Sequence, residues 1–201
     1  MNLNTHHFTQ RFLDEFSAIA QKMPTSDIEK AIDILFETWK SGNKVFIIGN
    51  GGSASTASHF ACDLGKGTSV PGKKRFRAIS LTDNIPLISA LTNDNGFGAV
   101  FVEQLKNLLE KGDVVIAISV HGGAGEDKAG PWSQNLLAAV QYAKEISART
   151  IGFSGFDGGA LKKVADACIV VPAESTPYVE SWHATLEHLI CSCLKERIEQ
   201  S

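Results

Sequence analysis

From residue 44 onward the chain alternates short apolar runs with longer helical stretches. The runs are residues 44–49 (KVFIIG), 76–81 (FRAISL), 113–119 (DVVIAIS), 149–155 (RTIGFSG) and 167–172 (ACIVVP). Most are continuously apolar instead of alternating with polar residues, which is the pattern of strands covered on both faces. This predicts a five-stranded parallel sheet sandwiched between helices, and right-handed crossovers make it a doubly wound α/β fold.

Two helices precede the sheet as an N-terminal helical hairpin. Phe8, Phe12, Phe16 and Ile19 form one apolar stripe. The second helix is expected to open on a capping box of Ser26 and Glu29 and to end near Gly42. With 201 residues and no repeat or low-complexity linker, the chain reads as one domain, residues 1–42 forming the N-terminal helices and 43–201 the α/β core. A net charge of −3 argues against nucleic-acid binding by phosphate neutralisation. No window is apolar enough for a membrane span or a secretory h-region, and Cys62, Cys168, Cys191 and Cys193 lie in apolar segments without paired CxxC motifs. The expectation is a cytoplasmic protein with reduced thiols.

Ligands of open parallel sheets sit where strand carboxyl ends meet helix N-termini. The first run ends Gly49-Asn50-Gly51-Gly52-Ser53-Ala54-Ser55, a sequence whose backbone amides and hydroxyls suit a phosphate, or else a tight turn with Ser53 as helix N-cap. It matches neither GxGxxG nor GxxxxGK[ST]. The third run ends Ser119-Val120-His121-Gly122-Gly123, with Ser133 opening a later helix. His59 and Asp63, four residues apart on the first following helix, suit a divalent metal, an acid–base pair or a surface ion pair. The last helix, expected over 179–199, carries Glu180, His183, Glu187 and His188; the first three share a face by spacing.

The GNGGSA loop, HFACDL, NDNGF, GDVVIAIS and IGFSGFDGG, taken in order, resemble the sugar isomerase (SIS) domain family and within it the phosphoheptose isomerase group. The resemblance implies a homotetramer with active sites between subunits, interconverting sedoheptulose 7-phosphate and a heptose 7-phosphate on the route to activated heptoses. It implies sugar-phosphate contacts at Asn50, Gly51, Gly52, Ser53, Asn93, Asp94, Ser119 and Ser133, and zinc ligands at His59, Asp63, Glu180 and His188. Three departures stand out. Asp63 replaces a glutamate and Glu180 a glutamine, which leaves two imidazoles and two carboxylates, a set that zinc, manganese or iron would accept. The hydroxyl-rich phosphate loop becomes Ser119-Val120-His121-Gly122-Gly123 with residues 124–132 inserted, so His121 joins the candidate substrate contacts.

The expected activity is aldose–ketose isomerisation, with His188 or Asp63 as the base and a divalent metal, zinc by resemblance, stabilising charge. Two rivals are a non-catalytic SIS regulator of the replication-initiator-associating type and a phosphosugar sensor. Eight residues of uninterrupted helix between Glu180 and His188 rise about 12 Å, too far for one ion. Either the helix starts after Glu180 or different subunits supply the two.

Overall fold

The computed structural model describes residues 4–123 and 133–201. Two helices come first, α1 (Thr5–Ala20) and α2 (Thr25–Ser41), then β1 (Lys44–Gly49), α3 (Gly52–Cys62) with a π-helical turn (Asp63–Gly67), β2 (Arg77–Ser80) and α4 (Ile85–Asn95). A short 3₁₀ turn (Phe97–Ala99) leads into α5 (Val100–Leu108), β3 (Val114–Ile118), α6 (Gln134–Glu145), β4 (Arg149–Ser154), α7 (Gly159–Val164), β5 (Ala167–Val170) and α8 (Thr176–Glu199). The five strands form one sheet in the order β2-β1-β3-β4-β5, every pairing parallel.

Alternation along the strands divides the core in two. Val45, Ile47, Ile116, Ile118, Ile151 and Phe153 face α2, α3 and α8, while Phe46, Ile48, Val115 and Ala117 face α5 and α6. Both faces are covered, which is why the strands read as unbroken apolar runs. The edge strand β2 departs from this: Arg77 and Ile79 are exposed, as befits a strand with a neighbour on one side only. The α1 stripe meets α8, Phe12 lying 4.5 Å from the Tyr178 ring and Phe16 stacking at 4.7 Å on Trp182.

Helix termini differ from the sequence expectation in two places. The α2 N-cap is Pro24 with no side-chain cap bond, so Ser26 and Glu29 stand inside the helix and form no capping box. The α1 N-cap is Asn4, whose side chain accepts from the His7 amide at 3.2 Å. Helix α8 begins at Thr176, with proline in its first turn, and runs unbroken through Glu180 and His188; the helix does not start after Glu180. Among the described residues the cysteines are free, and no helix is long and apolar enough to cross a membrane.

Phe60 of α3 is fully buried and packs 5.8 Å from Phe153 of β4, joining the helix to the sheet centre. Phe60→Ala is expected to cost about 3–5 kcal/mol, read as a lowered urea midpoint with an unchanged slope.

Candidate active site

Strands β1 and β3 are neighbours, yet α3 covers one face of the sheet and α6 the other. That divergence opens a crevice at their carboxyl ends, the topological switch point. The β1 loop turns through Gly49, where a Cβ would sit 2.5 Å from the Ser53 carbonyl oxygen, and through Gly51 at φ +56°. Gly51 is the α3 N-cap and Gly52 its first residue, so Ser53 is not the cap; it lies buried in the first turn, its amide donating to the Asn50 carbonyl at 3.1 Å. The Asn50 and Asn135 side-chain amides exchange two hydrogen bonds of 3.0 Å, tying this loop to the start of α6. Asn135 is fully buried; its position right after Ser133 and Gln134 was the available signal, but nothing local foretold its partner.

Beyond β3, the buried Ser119 hydroxyl accepts from the Gly123 amide at 3.2 Å, and His121 stacks 4.3 Å from Phe156. Gly122, at φ +65°, and Gly159, at φ +55°, allow this loop to lie directly against the turn after β4; a Cβ on either would collide with backbone. Ser133 precedes α6 without a side-chain cap bond, and the expected insertion, residues 124–132, lies outside the described residues. Asn93 and Asp94 stand exposed in the last turn of α4, hydrogen-bonded to each other at 2.7 Å.

The second half of the site lies between α3 and α8. His188 Nδ1 is 3.0 Å from Asp63 Oδ2, and His59 Nε2 is 3.8 Å from the same oxygen. The two imidazoles meet edge to face at 4.9 Å. Asp63 begins the π-helical turn, a widening of helix that is frequent at functional sites. Behind this trio is Glu187, fully buried, whose Oε1 approaches His59 Nδ1 to 2.6 Å. Neither Glu187 oxygen has a hydrogen-bond partner among the described residues. Burial, with Asp63 adding to it, raises the Glu187 carboxyl to about 8. Among the described residues, His59, Glu187 and His188 each offer one ligand atom within 4.8 Å of the others, a group able to hold a metal ion. Glu187 shares a helix face with Glu180 and His183, but its role depends on His59, 128 positions away in the chain, and sequence reading left it out of the site.

Glu180 is elsewhere. Its carboxylate lies against Gly52, where a Cβ would come within 2.6 Å of Oε1. Glu180 therefore borders the β1 loop, and the His59 group lies one heptad further along α8, a rise of about 10.5 Å.

His183 is also buried: its Nε2 is 3.2 Å from the Ser154 carbonyl oxygen, which requires that nitrogen to carry the proton, and Nδ1 has no partner among the described residues. Burial lowers its pKa to about 4 from an ordinary 6.5. The unfolded chain then binds more protons than the native one between these values, so stability falls as pH drops through that window. Between pH 7 and pH 5 the wild type is expected to lose about 2 kcal/mol more than His183→Gln, which keeps a donor for Ser154; urea midpoints at the two pH values measure it.

The SIS domain family model matches residues 7–155. The phosphoheptose isomerase of Aliarcobacter butzleri is 35% identical over 94% of this chain and 96% of its own length. The lincomycin biosynthesis protein LmbN of Streptomyces lincolnensis is 46% identical over 79% of this chain, which spans only 58% of that relative. The structure of phosphoheptose isomerase GmhA from Neisseria gonorrhoeae superposes with a TM-score of 0.83 at 27% identity, over 95% of this chain and 98% of that one. With its 2-1-3-4-5 sheet and glycine-rich β1 loop, the chain belongs to the SIS domain family, in its phosphoheptose isomerase group.

Proposed function

We propose that this chain is a phosphosugar aldose–ketose isomerase interconverting sedoheptulose 7-phosphate and a heptose 7-phosphate, a step leading into activated heptoses. The observation that carries the reading is the placement of two chemistries on one helix pair. An amide-rich anion loop lies at the start of α3, and an imidazole–carboxylate cluster lies one heptad further along α3 and α8. In a heptose 7-phosphate, likewise, the phosphate and the reacting carbons occupy opposite ends of the molecule. Relatives named phosphoheptose isomerase, similar over almost the whole chain, support the same substrate; the relative named for lincomycin biosynthesis leaves open which route uses the product.

In this mechanism Asn50, Gly51, Gly52, Ser53, Ser119, His121 and Ser133 hold the phosphate end, turning remote binding into orientation at the reacting carbons. Isomerisation moves a proton between adjacent carbons through an enediol. The hydrogen-bonded Asp63–His188 pair moves it: Nδ1–H of His188 donates to Asp63, which leaves Nε2 as the acceptor-bearing nitrogen of the pair. A divalent ion, zinc by resemblance, would be held with His59 as a ligand and would polarise the substrate carbonyl. The working form is a cytoplasmic homotetramer with its sites between subunits, which would bring Asn93 and Asp94 to a substrate. Exposed Phe8 and Leu13 on α1, and Ile85 on α4, a helix with no buried residue, support such packing.

A non-catalytic SIS regulator or a sensor has no need of a proton-moving pair, and nothing observed favours either. Incubating the full chain with heptose, hexose and pentose phosphates is expected to give ketose–aldose interconversion with sedoheptulose 7-phosphate, lost on chelation. Asp63→Asn and His188→Ala should each lower kcat/KM at least about 100-fold with unchanged circular dichroism. No turnover of any sugar phosphate by wild-type protein would overturn the isomerase reading.

A further inference from the structure

We propose that Phe156 is a positioning residue for the phosphate end of the substrate: from a left-handed backbone conformation it fixes the His121 ring while leaving both imidazole nitrogens to the ligand. This rests on the proposed function in taking His121 as a contact to the sugar phosphate.

The loop after β3 and the turn after β4 are built as one unit. The Gly155 amide donates to the Val120 carbonyl and the Leu161 amide to the Gly122 carbonyl, both at 2.9 Å. Between these bonds, a Cβ on Gly159 would come within 2.2 Å of the His121 carbonyl oxygen, so backbone meets backbone on both sides of residue 121. Gly155 also lies on Val179 of α8, where a Cβ would come within 2.3 Å of a valine methyl. Val179 precedes Glu180, whose carboxylate rests on Gly52. The turn thus ties the β3 loop to the wall of the crevice that α8 and the β1 loop make.

Within this turn Phe156 has φ +53°, a left-handed conformation shared by only one other non-glycine residue among those described. For a bulky side chain that is an outlier which the surroundings must hold in place; the Phe156 amide, donating to the Ala173 carbonyl at 3.0 Å, is one such hold. Glycine would carry no such strain, and the turn already uses it at positions 155, 158 and 159. The phenyl ring therefore has to contribute something that outweighs the strain. Both rings are half-buried, with centroids 4.3 Å apart and planes inclined at 42°, a close aromatic pair. Among the described residues no hydrogen bond holds either nitrogen of His121, so its orientation comes from Phe156. An imidazole has rotamer freedom that a ligand would otherwise have to remove; a fixed ring beside it removes that freedom beforehand and consumes no donor.

The test is a double-mutant cycle on the full chain, pairing His121→Ala with Phe156→Ala. Calorimetry gives affinity for sedoheptulose 7-phosphate and for inorganic phosphate, and kcat/KM is followed alongside. His121→Ala is expected to weaken sugar-phosphate binding about 10-fold or more, as for a hydrogen bond to a charged group. Phe156→Ala should cost about 5-fold, the scale of an aromatic pair, and the double variant no more than about 2-fold beyond His121→Ala. Phe156→Tyr, which keeps the ring, should stay within about 2-fold of wild type. Phe156→Leu keeps apolar bulk but no aromatic face, and gives the same reading if Phe156→Ala does not fold. Unchanged affinity in either single alanine variant, or a Phe156→Ala loss that persists in full without His121, would overturn the proposal. The expected pattern of affinities in a protein that turns over no sugar phosphate would leave the Phe156 role standing and remove the isomerase reading, whereas wild type that binds neither ligand would overturn both.

Discussion

The site depends on how α3 lies on α8. Gly52 touches Glu180 and His59 touches Glu187, so seven residues along one helix correspond to seven along the other, which is the signature of parallel helices packed at a shallow angle. Each contact needs the right size at its level. At the first, the absence of a side chain on Gly52 admits a carboxylate; at the second, an imidazole reaches a buried one. Both helices are fastened to the same sheet face through Phe60, Leu186 and Ile190. The spacing between the anion loop and the imidazole cluster is thus set by helix rise and not by flexible loops.

Electrostatics follow the same division. The basic residues around β2 do not crowd the crevice: Arg77 begins β2, at the opposite end of the sheet from the β1 loop, and bonds the Gly42 carbonyl, while Lys74 lies 5.4 Å over the Trp39 ring. Under the proposed function the β1 loop would attract a phosphate through backbone amides, hydroxyls and the positive end of α3. A net charge of −3 is compatible with a phosphate ligand because the attraction is local and dipolar.

The fold was largely legible in the sequence because burial on both sheet faces writes itself as unbroken apolar runs, and all five runs became strands. Glycine-rich strand ends marked the crevice for the same reason: Gly49 and Gly122 each sit where a Cβ would strike backbone. What stayed hidden was pairwise and distant in sequence. No local pattern shows that Asn135 will exchange amide bonds with Asn50, or that Glu187 will face His59. The capping box failed for a related reason, since the α2 N-cap is Pro24, two residues before Ser26, and a local motif yielded to the chain's path out of α1.

Exposure separates what one chain completes from what it leaves open. Glu187 and Ser53 are already withdrawn from water, whereas His59, His188, Asn93 and Asp94 are not. An enediol intermediate is protected by exclusion of solvent, and charge is stabilised more strongly in a dry site. Under the proposed function, a chain that buries its carboxylate and exposes its imidazoles would hold the interior half of such a site without its cover. Helix α4 carries Asn93 and Asp94 with no buried residue of its own, and it exposes Ile85. Under the proposed assembly, covering that apolar surface and drying the imidazoles are the same event, which links oligomer formation to catalytic competence through burial and needs no movement within the chain.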